Sequence, residues 1–242
     1  MSTQTFILNH GAFHDSSAWA EVVTRLQARG HTADAPCINA GRKADEDGGY
    51  QGRAQLLADY IVQRDLTEVV LVGHSAGGIT VCKTVELVPE RVRRLVFCSA
   101  FILADGQCLT DNMPPESRQL LEQLARSSFD QRIIPPFALW RELFMNDADL
   151  DVALSTYDQL IPMEYQLFRE RIDLKTFYTL TTPRSYVLFT EDTALPPGEW
   201  SWHPRMTSRL GMYRFLQMPG GHEVMFTNPD GLAAKIIQAG RD

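Results

Sequence analysis

The chain has 242 residues, of which 44% are hydrophobic and 22% charged, a composition that suits one sizeable α/β domain with room for an inserted subdomain. A formal net charge of −7 and a pI near 5.4 argue against nucleic acid or an anionic membrane as the main partner. No apolar run approaches a membrane span, the first residues lack the regions of a secretory signal, and the four cysteines show neither C-x-x-C nor metal spacing, so a reducing cytoplasm is the expected setting.

Thr5 to Leu8 reads as the first strand and ends at Asn9-His10-Gly11-Ala12. A helix is expected from Ser17 to about Ala28, with Trp19, Val22, Val23 and Leu26 on one face and Gly30 as its stop. A short strand within His31 to Pro36 leads into a polar loop, Gly41 to Gly49, and then a helix from about Gln51 to Gln63 that buries Leu56, Leu57, Tyr60 and Ile61. Val69 to Val72 is a continuous apolar run rich in β-branched residues, as a strand buried on both faces of a parallel sheet requires. A helical pattern follows (Ile79, Val81, Cys82, Val85, Leu87), then another buried strand from Arg94 to Phe101. Cys82 and Cys98 fall within these apolar patterns and read as core thiols. The βα alternation then breaks. Positions 103–182 carry helical patterns and many aromatics, too long for a crossover and too apolar for a disordered loop. They read as a helical cap inserted into a core formed by 1–102 and 183–242. Regular structure resumes with strands at Ser185–Phe189 and Tyr213–Gln217 and a closing helix from Asp230 to about Ala239.

The chemistry centres on Gly73-His74-Ser75-Ala76-Gly77, a G-x-S-x-G sequence set between a buried strand and a helix. So abrupt a reversal forces Ser75 towards positive φ, and Gly73 and Gly77 remove the side chains that would collide with it. The turn lifts the hydroxyl above the sheet at a helix N-terminus, where developing negative charge is favoured. A serine nucleophile needs a base, an acid to orient the base, and donors for the oxyanion. His222 lies past the last strand in Met218-Pro219-Gly220-Gly221-His222 and is the expected base. His203 follows no strand and is expected to be structural. Asp192 is the expected acid, with its neighbour Glu191 as competitor. The backbone N–H groups of Ala12 and Ala76 are the expected oxyanion donors. His10 and His74 are expected to support their turns, and His14 either faces the pocket or bonds its own loop. Phe13, Trp140, Phe144 and Tyr165 are candidates for the substrate pocket, although the cap aromatics could equally form the cap's own core. No metal constellation can be assembled around His10.

These residues resemble the α/β-hydrolase superfamily over the whole chain. Within it, His10-Gly11-Ala12-x-His14 with Trp19, the G-H-S-A-G-G elbow, Thr190-Glu191-Asp192-x-Ala194-Leu195-Pro196 and Gly220-Gly221-His222 resemble the branch of plant methylesterases, hydroxynitrile lyases and their bacterial esterase relatives. The resemblance implies a mainly parallel sheet of about six strands, a helical cap, no cofactor, frequent dimers, and cleavage of small esters. The lyases carry Thr at the position of Gly11 and Lys at that of Glu223. A carboxylate there would repel the cyanide that a lyase must hold. The expected function is therefore hydrolysis of a small ester with an apolar or aromatic part, through an acyl-enzyme. Lactone, carbamate or amide hydrolysis, acyl transfer, cofactor-free oxygenation and a non-enzymatic ligand receptor are the alternatives.

Overall fold

The computed structural model describes residues 3–38 and 48–242. The polar loop expected at Gly41 to Gly49 lies outside the described residues as far as position 47.

The chain opens with β1 (Thr5–Asn9), then a 3-10 turn, Ser16–Trp19, that leads directly into α1 (Ala20–Ala28). Asp15 caps that turn by accepting from the Ser17 amide, so helical structure starts one residue ahead of the apolar pattern. Next come β2 (Thr32–Asp34), α2 (Gly49–Gln63), β3 (Val69–His74), α3 (Gly77–Leu87) and β4 (Val92–Cys98). The strand expected to reach Phe101 stops at Cys98. Ser99 adopts a φ of 35°, and the Phe101 amide donates to the Ser75 carbonyl at 2.9 Å, so the apolar run 99–101 turns onto the elbow instead of extending the ladder.

The insertion is not wholly helical. It holds α4 (Pro115–Ser127), β5 (Arg132–Ile133), a helical turn at Phe137–Leu139 that runs into a π-helix at Trp140–Phe144, and α5 (Leu150–Tyr157). β6 (Met163–Glu164) follows, pairing antiparallel with β5, and then α6 (Tyr165–Arg169) and α7 (Lys175–Thr179). The core resumes with β7 (Arg184–Phe189), β8 (Arg214–Met218), α8 (Val224–Thr227) and α9 (Pro229–Ala239).

The six main strands form one sheet in the order β2-β1-β3-β4-β7-β8, parallel throughout. β3 lies near its centre and is buried along its full length, which explains its unbroken apolar run. One sheet face packs under α1, α8 and α9, with Trp19, Val22, Leu232 and Ile236 in that core. The other packs against α2 and α3, and its apolar cluster continues without a break into the insertion through Trp140, Met145, Leu167 and Phe168. The carboxyl ends of β1, β3, β7 and β8 therefore meet under the inserted segment, where an open parallel sheet places ligands.

Candidate active site

Ala12, Ser75, Asp192 and His222 each lie in the segment that follows a strand of the main sheet. Ser75 follows β3 with a φ of 51°, a strained conformation for a residue with a side chain. Two contacts show why the turn is built of glycine. A Cβ on Gly77 would run into the His10 carbonyl oxygen, and one on Gly73 would lie 2.9 Å from Val81 Cγ2. The elbow thus presses its backbone against the loop after β1, which presents Ala12.

His222 lies in the loop after β8 and is buried. Its Nδ1 donates to Asp192 Oδ2 at 2.6 Å, and the Asp192 side chain has no solvent exposure. Asp192 Oδ1 accepts from the Ala194 amide at 2.9 Å, so the carboxylate is held at both oxygens. Glu191 is exposed and engages its surroundings through its backbone. Of the two neighbouring acids, Asp192 alone faces the imidazole. Burial by itself would lower the His222 pKa, but the charge and hydrogen bond of Asp192, with the charge of Glu223, outweigh it and hold the pKa above the ordinary histidine value.

Ser75, Ala76, Ala12 and His222 line one pocket, whose remaining walls are Phe13, Phe101, Leu109, Met113, Phe144, Phe168, Ala194, Leu195 and Trp202. Apart from the serine and the imidazole, every lining side chain is apolar. Among the described residues, the amides of Ala12 and Ala76 find no protein acceptor, which leaves two donors beside Ser75 for a developing oxyanion. Phe13 takes a left-handed φ of 65°, and its carbonyl accepts from the Ile161 amide at 2.8 Å, so the insertion holds the strained loop in place.

The alpha/beta hydrolase family pattern matches residues 6–235. The chain belongs to this family. A carbendazim-hydrolyzing esterase from Nocardioides sp. (strain SG-4G) is 24% identical over 97% of this chain and 99% of its own length. Salicylic acid-binding protein 2 of Nicotiana tabacum is 25% identical over 96% of this chain and 95% of its own. Among solved structures, an extracellular alpha/beta-hydrolase from a Paenibacillus species superposes with a TM-score of 0.94 at 38% identity, covering 99% of this chain and 100% of that one. That protein is described as sharing structural and functional homology with tobacco salicylic acid binding protein 2. Putative methylesterase 15 of Arabidopsis thaliana is 26% identical over 98% of this chain and 56% of its own length, so plant methylesterases and a bacterial esterase are both among the relatives, as the motifs led one to expect.

Of the four pocket candidates, this alpha/beta hydrolase brings two to the site. Phe13 and Phe144 line the pocket; Trp140 and Tyr165 do not. Trp140 is fully buried behind Phe144, stacked on it at 5.4 Å, with its indole N–H donating to Thr156 Oγ1 at 3.4 Å. Tyr165 sits at the rim of α6 beneath the Arg169 guanidinium. The two rings share one face of the π-helix and stack, with Phe144 as the pocket-side layer and Trp140 as the core layer behind it. His203 lies away from the pocket, bonded to Thr207 Oγ1 at 2.7 Å.

Sequence reasoning missed Trp202 and Leu195. Trp202 stacks on His222 with ring centroids 5.3 Å apart and planes within 10°, closing one side of the imidazole. Both stand in the irregular stretch after β7, where no periodicity marks a wall; only the Ala-Leu-Pro and Trp-His-Pro sequences hint at ordered turns. His74 was expected only to support its turn. Its Nε2 lies 2.9 Å from the His222 carbonyl oxygen and donates to it. Burial and the nearby His222 push the His74 pKa down to about 3, which keeps it neutral.

Ligand-type atoms of His74, His222 and Glu223 lie within 4.8 Å of one another. Two of the groups are committed elsewhere, His222 Nδ1 to Asp192 and His74 Nε2 to a carbonyl, so the cluster reads as a polar arrangement around His222 rather than a metal cradle. A side chain on Gly11 would put its Cβ 2.9 Å from Ser75 Cβ. A threonine, as the lyases carry, would not fit beside this serine without moving the loop.

Proposed function

We propose that this chain is a serine esterase that cleaves small, uncharged carboxylic esters with an apolar or aromatic part, through an acyl-enzyme. The observation that carries this is a single apolar pocket containing Ser75 on a strained turn, an imidazole held by a fully buried carboxylate, and two backbone amides without acceptors. Ser75 Oγ attacks the ester carbonyl carbon while His222 Nε2 takes its proton. Asp192 fixes the tautomer and balances the imidazolium, and the Ala12 and Ala76 amides receive the oxyanion. His222 then returns the proton to the departing alcohol, leaving Ser75 acylated. A water, deprotonated by the same imidazole, releases the acid.

The apolar walls support uncharged substrates, since a charged group there would lose its hydration without a partner. Residues 103–182 act as a cap in this reading, contributing Leu109, Met113, Phe144 and Phe168 to the pocket. Three of the four unpaired thiols are buried, which fits a reducing cytoplasm, and among the described residues no helix is long and apolar enough to cross a membrane. The resemblance to the branch suggests a homodimer, which sedimentation decides.

The test is kcat/KM over a panel of aryl and alkyl esters, lactones and carbamates, each in a neutral and an anionic form. The neutral aryl and short alkyl esters should lead, and their anionic counterparts should be slower by at least about tenfold. Tight binding of a panel member without turnover would favour the receptor alternative, and equal rates on neutral and anionic forms would remove the substrate assignment.

A further inference from the structure

Beside the base lies a carboxylate that takes no part in the proton transfers above. Glu223, immediately after His222, is 2% exposed. Its Oε2 lies 3.2 Å from His14 Nε2, and both side chains are buried. His14 stands two residues beyond Ala12, in the same loop after β1, and its ring packs against Trp140 and Phe226 at 5.7 Å. The Glu223 amide donates to the Phe144 carbonyl at 3.2 Å, and Phe144 packs edge-on against the His222 ring. Oxyanion loop, histidine loop and inserted segment therefore meet at one buried pair.

The groups facing this pair come from every neighbouring element. His74 arrives from the elbow, His222 from the same loop, and Asp192 from the loop after β7, where it engages His222. Asp15 faces His14 from the start of the 3-10 turn. Asp147, from the insertion, lies against Gly220 and Gly221 and accepts from Thr227. A carboxylate kept out of water is a costly way to fill space, since apolar residues of similar volume are often as stable. This one is placed where its charge reaches an imidazole that becomes positive during the reaction.

We propose that Glu223 is a positioning residue for ester cleavage: through His14 it ties the loop carrying the Ala12 amide to the loop carrying His222, and its carboxylate sets a fixed negative charge beside the base. This rests on the serine-esterase reading. Asp192 acts on His222 through a hydrogen bond, whereas Glu223 acts through space, and the two reinforce each other in favouring the imidazolium. Glu223 itself stays ionised: burial alone would raise its pKa, but the contact with His14 brings it down to about 2.

The experiment is the pH profile of kcat/KM on a neutral activated ester for wild type, Glu223→Gln, Glu223→Asp and His14→Gln, with thermal unfolding of each. Glu223→Gln keeps the shape and removes the charge. The acidic limb, set by His222, should move to lower pH by about half to one unit, and kcat should fall about tenfold with KM nearly unchanged. Glu223→Asp should keep the limb at its wild-type position, because the charge remains, while losing rate because its arm no longer reaches His14. The losses from Glu223→Gln and His14→Gln should be less than additive in the double variant. A Glu223→Gln limb within about 0.2 unit of wild type, with any loss of rate matched by loss of stability, would overturn the role. If Glu223→Gln does not fold, the remaining variants decide: full wild-type rates in both Glu223→Asp and His14→Gln would overturn it equally. Hydrolysis that survives Ser75→Ala is the distinguishable failure of the esterase reading, and it takes this role down with it.

Discussion

Replacing Asp192 by asparagine changes one atom and should nearly silence the enzyme. The carboxylate is fully buried and its Oδ2 lies 2.6 Å from His222 Nδ1. At that separation and an effective dielectric near 20, the charge would favour an imidazolium by about 6 kcal/mol, or roughly four powers of ten in rate. A tautomer effect acts in the same direction. The Ala194 amide donates to Asp192 Oδ1 at 2.9 Å, so an asparagine would turn its oxygen to that amide and its NH2 to the imidazole. Nδ1 would then have to accept, the ring proton would sit on Nε2, and the base could not take the Ser75 proton. Orienting acids in serine enzymes are worth about the same factor of ten thousand. The assay is steady-state hydrolysis of one activated ester. Asp192→Asn should lower kcat about ten-thousandfold with KM within a few-fold, whereas Glu191→Gln, exposed and facing away, should stay within a few-fold of wild type. A Glu191→Gln protein crippled in kcat, or an Asp192→Asn protein that keeps a tenth of the wild-type rate, would refute the reasoning.

The two aromatics of the π-helix should separate into different phenotypes. Trp140→Ala removes a fully buried side chain and should cost about 3–5 kcal/mol of stability, read as a lowered urea midpoint. Phe144→Ala should instead reorder kcat/KM among esters of increasing size, and a uniform loss across the series would place Phe144 with Trp140. Gly77→Ala should destabilise the fold or leave the protein insoluble, because its Cβ meets the His10 carbonyl; a soluble variant with wild-type kcat would show that the elbow can shift freely. Stability should also fall in acid through His74. Its folded pKa of about 3 lies below the ordinary 6.5, so the folded state binds fewer protons between those values. The contribution is fully present above about pH 6.5 and is lost as pH falls towards 3, a matter of several kcal/mol at most. Glu223 adds a loss of the same sign lower down, between its ordinary 4.5 and about 2. Urea midpoints measured from pH 7 to 4 should decline steadily for wild type and more gently for His74→Gln.

How much of this was legible in the sequence depended on the range of the forces involved. The elbow was legible because strand period, glycine sterics and helix pattern are all local to 69–87. The histidine and the acid could be found from their position after late strands, with Asp192 preferred and Glu191 as competitor, but which of the two side chains is enclosed is a tertiary fact. Trp140 and Phe144 are four residues apart, a spacing that puts both on one face, and they do stack there; which of the two layers meets the pocket depends on what packs behind them, and that leaves no periodic trace. The short β5–β6 ribbon is held by two residue pairs, Arg132 with Glu164 and Ile133 with Met163, too little pattern to stand out. Glu223 could be seen to differ from the lyase cation, yet its partner His14 lies more than 200 residues earlier. Only the parallel sheet, by turning the carboxyl ends of β1 and β8 to the same edge, brings the two together.

The central claim is that Ser75 is the nucleophile, and the most direct measurement is mass spectrometry of the protein treated with a fluorophosphonate, combined with ester hydrolysis by Ser75→Ala. Wild type should gain one adduct on the peptide containing Ser75 and lose hydrolysis in proportion to labelling. Ser75→Ala should unfold like wild type, take no adduct and hydrolyse the ester several powers of ten more slowly. An adduct on another residue, or a Ser75→Ala protein with wild-type turnover, would contradict the claim.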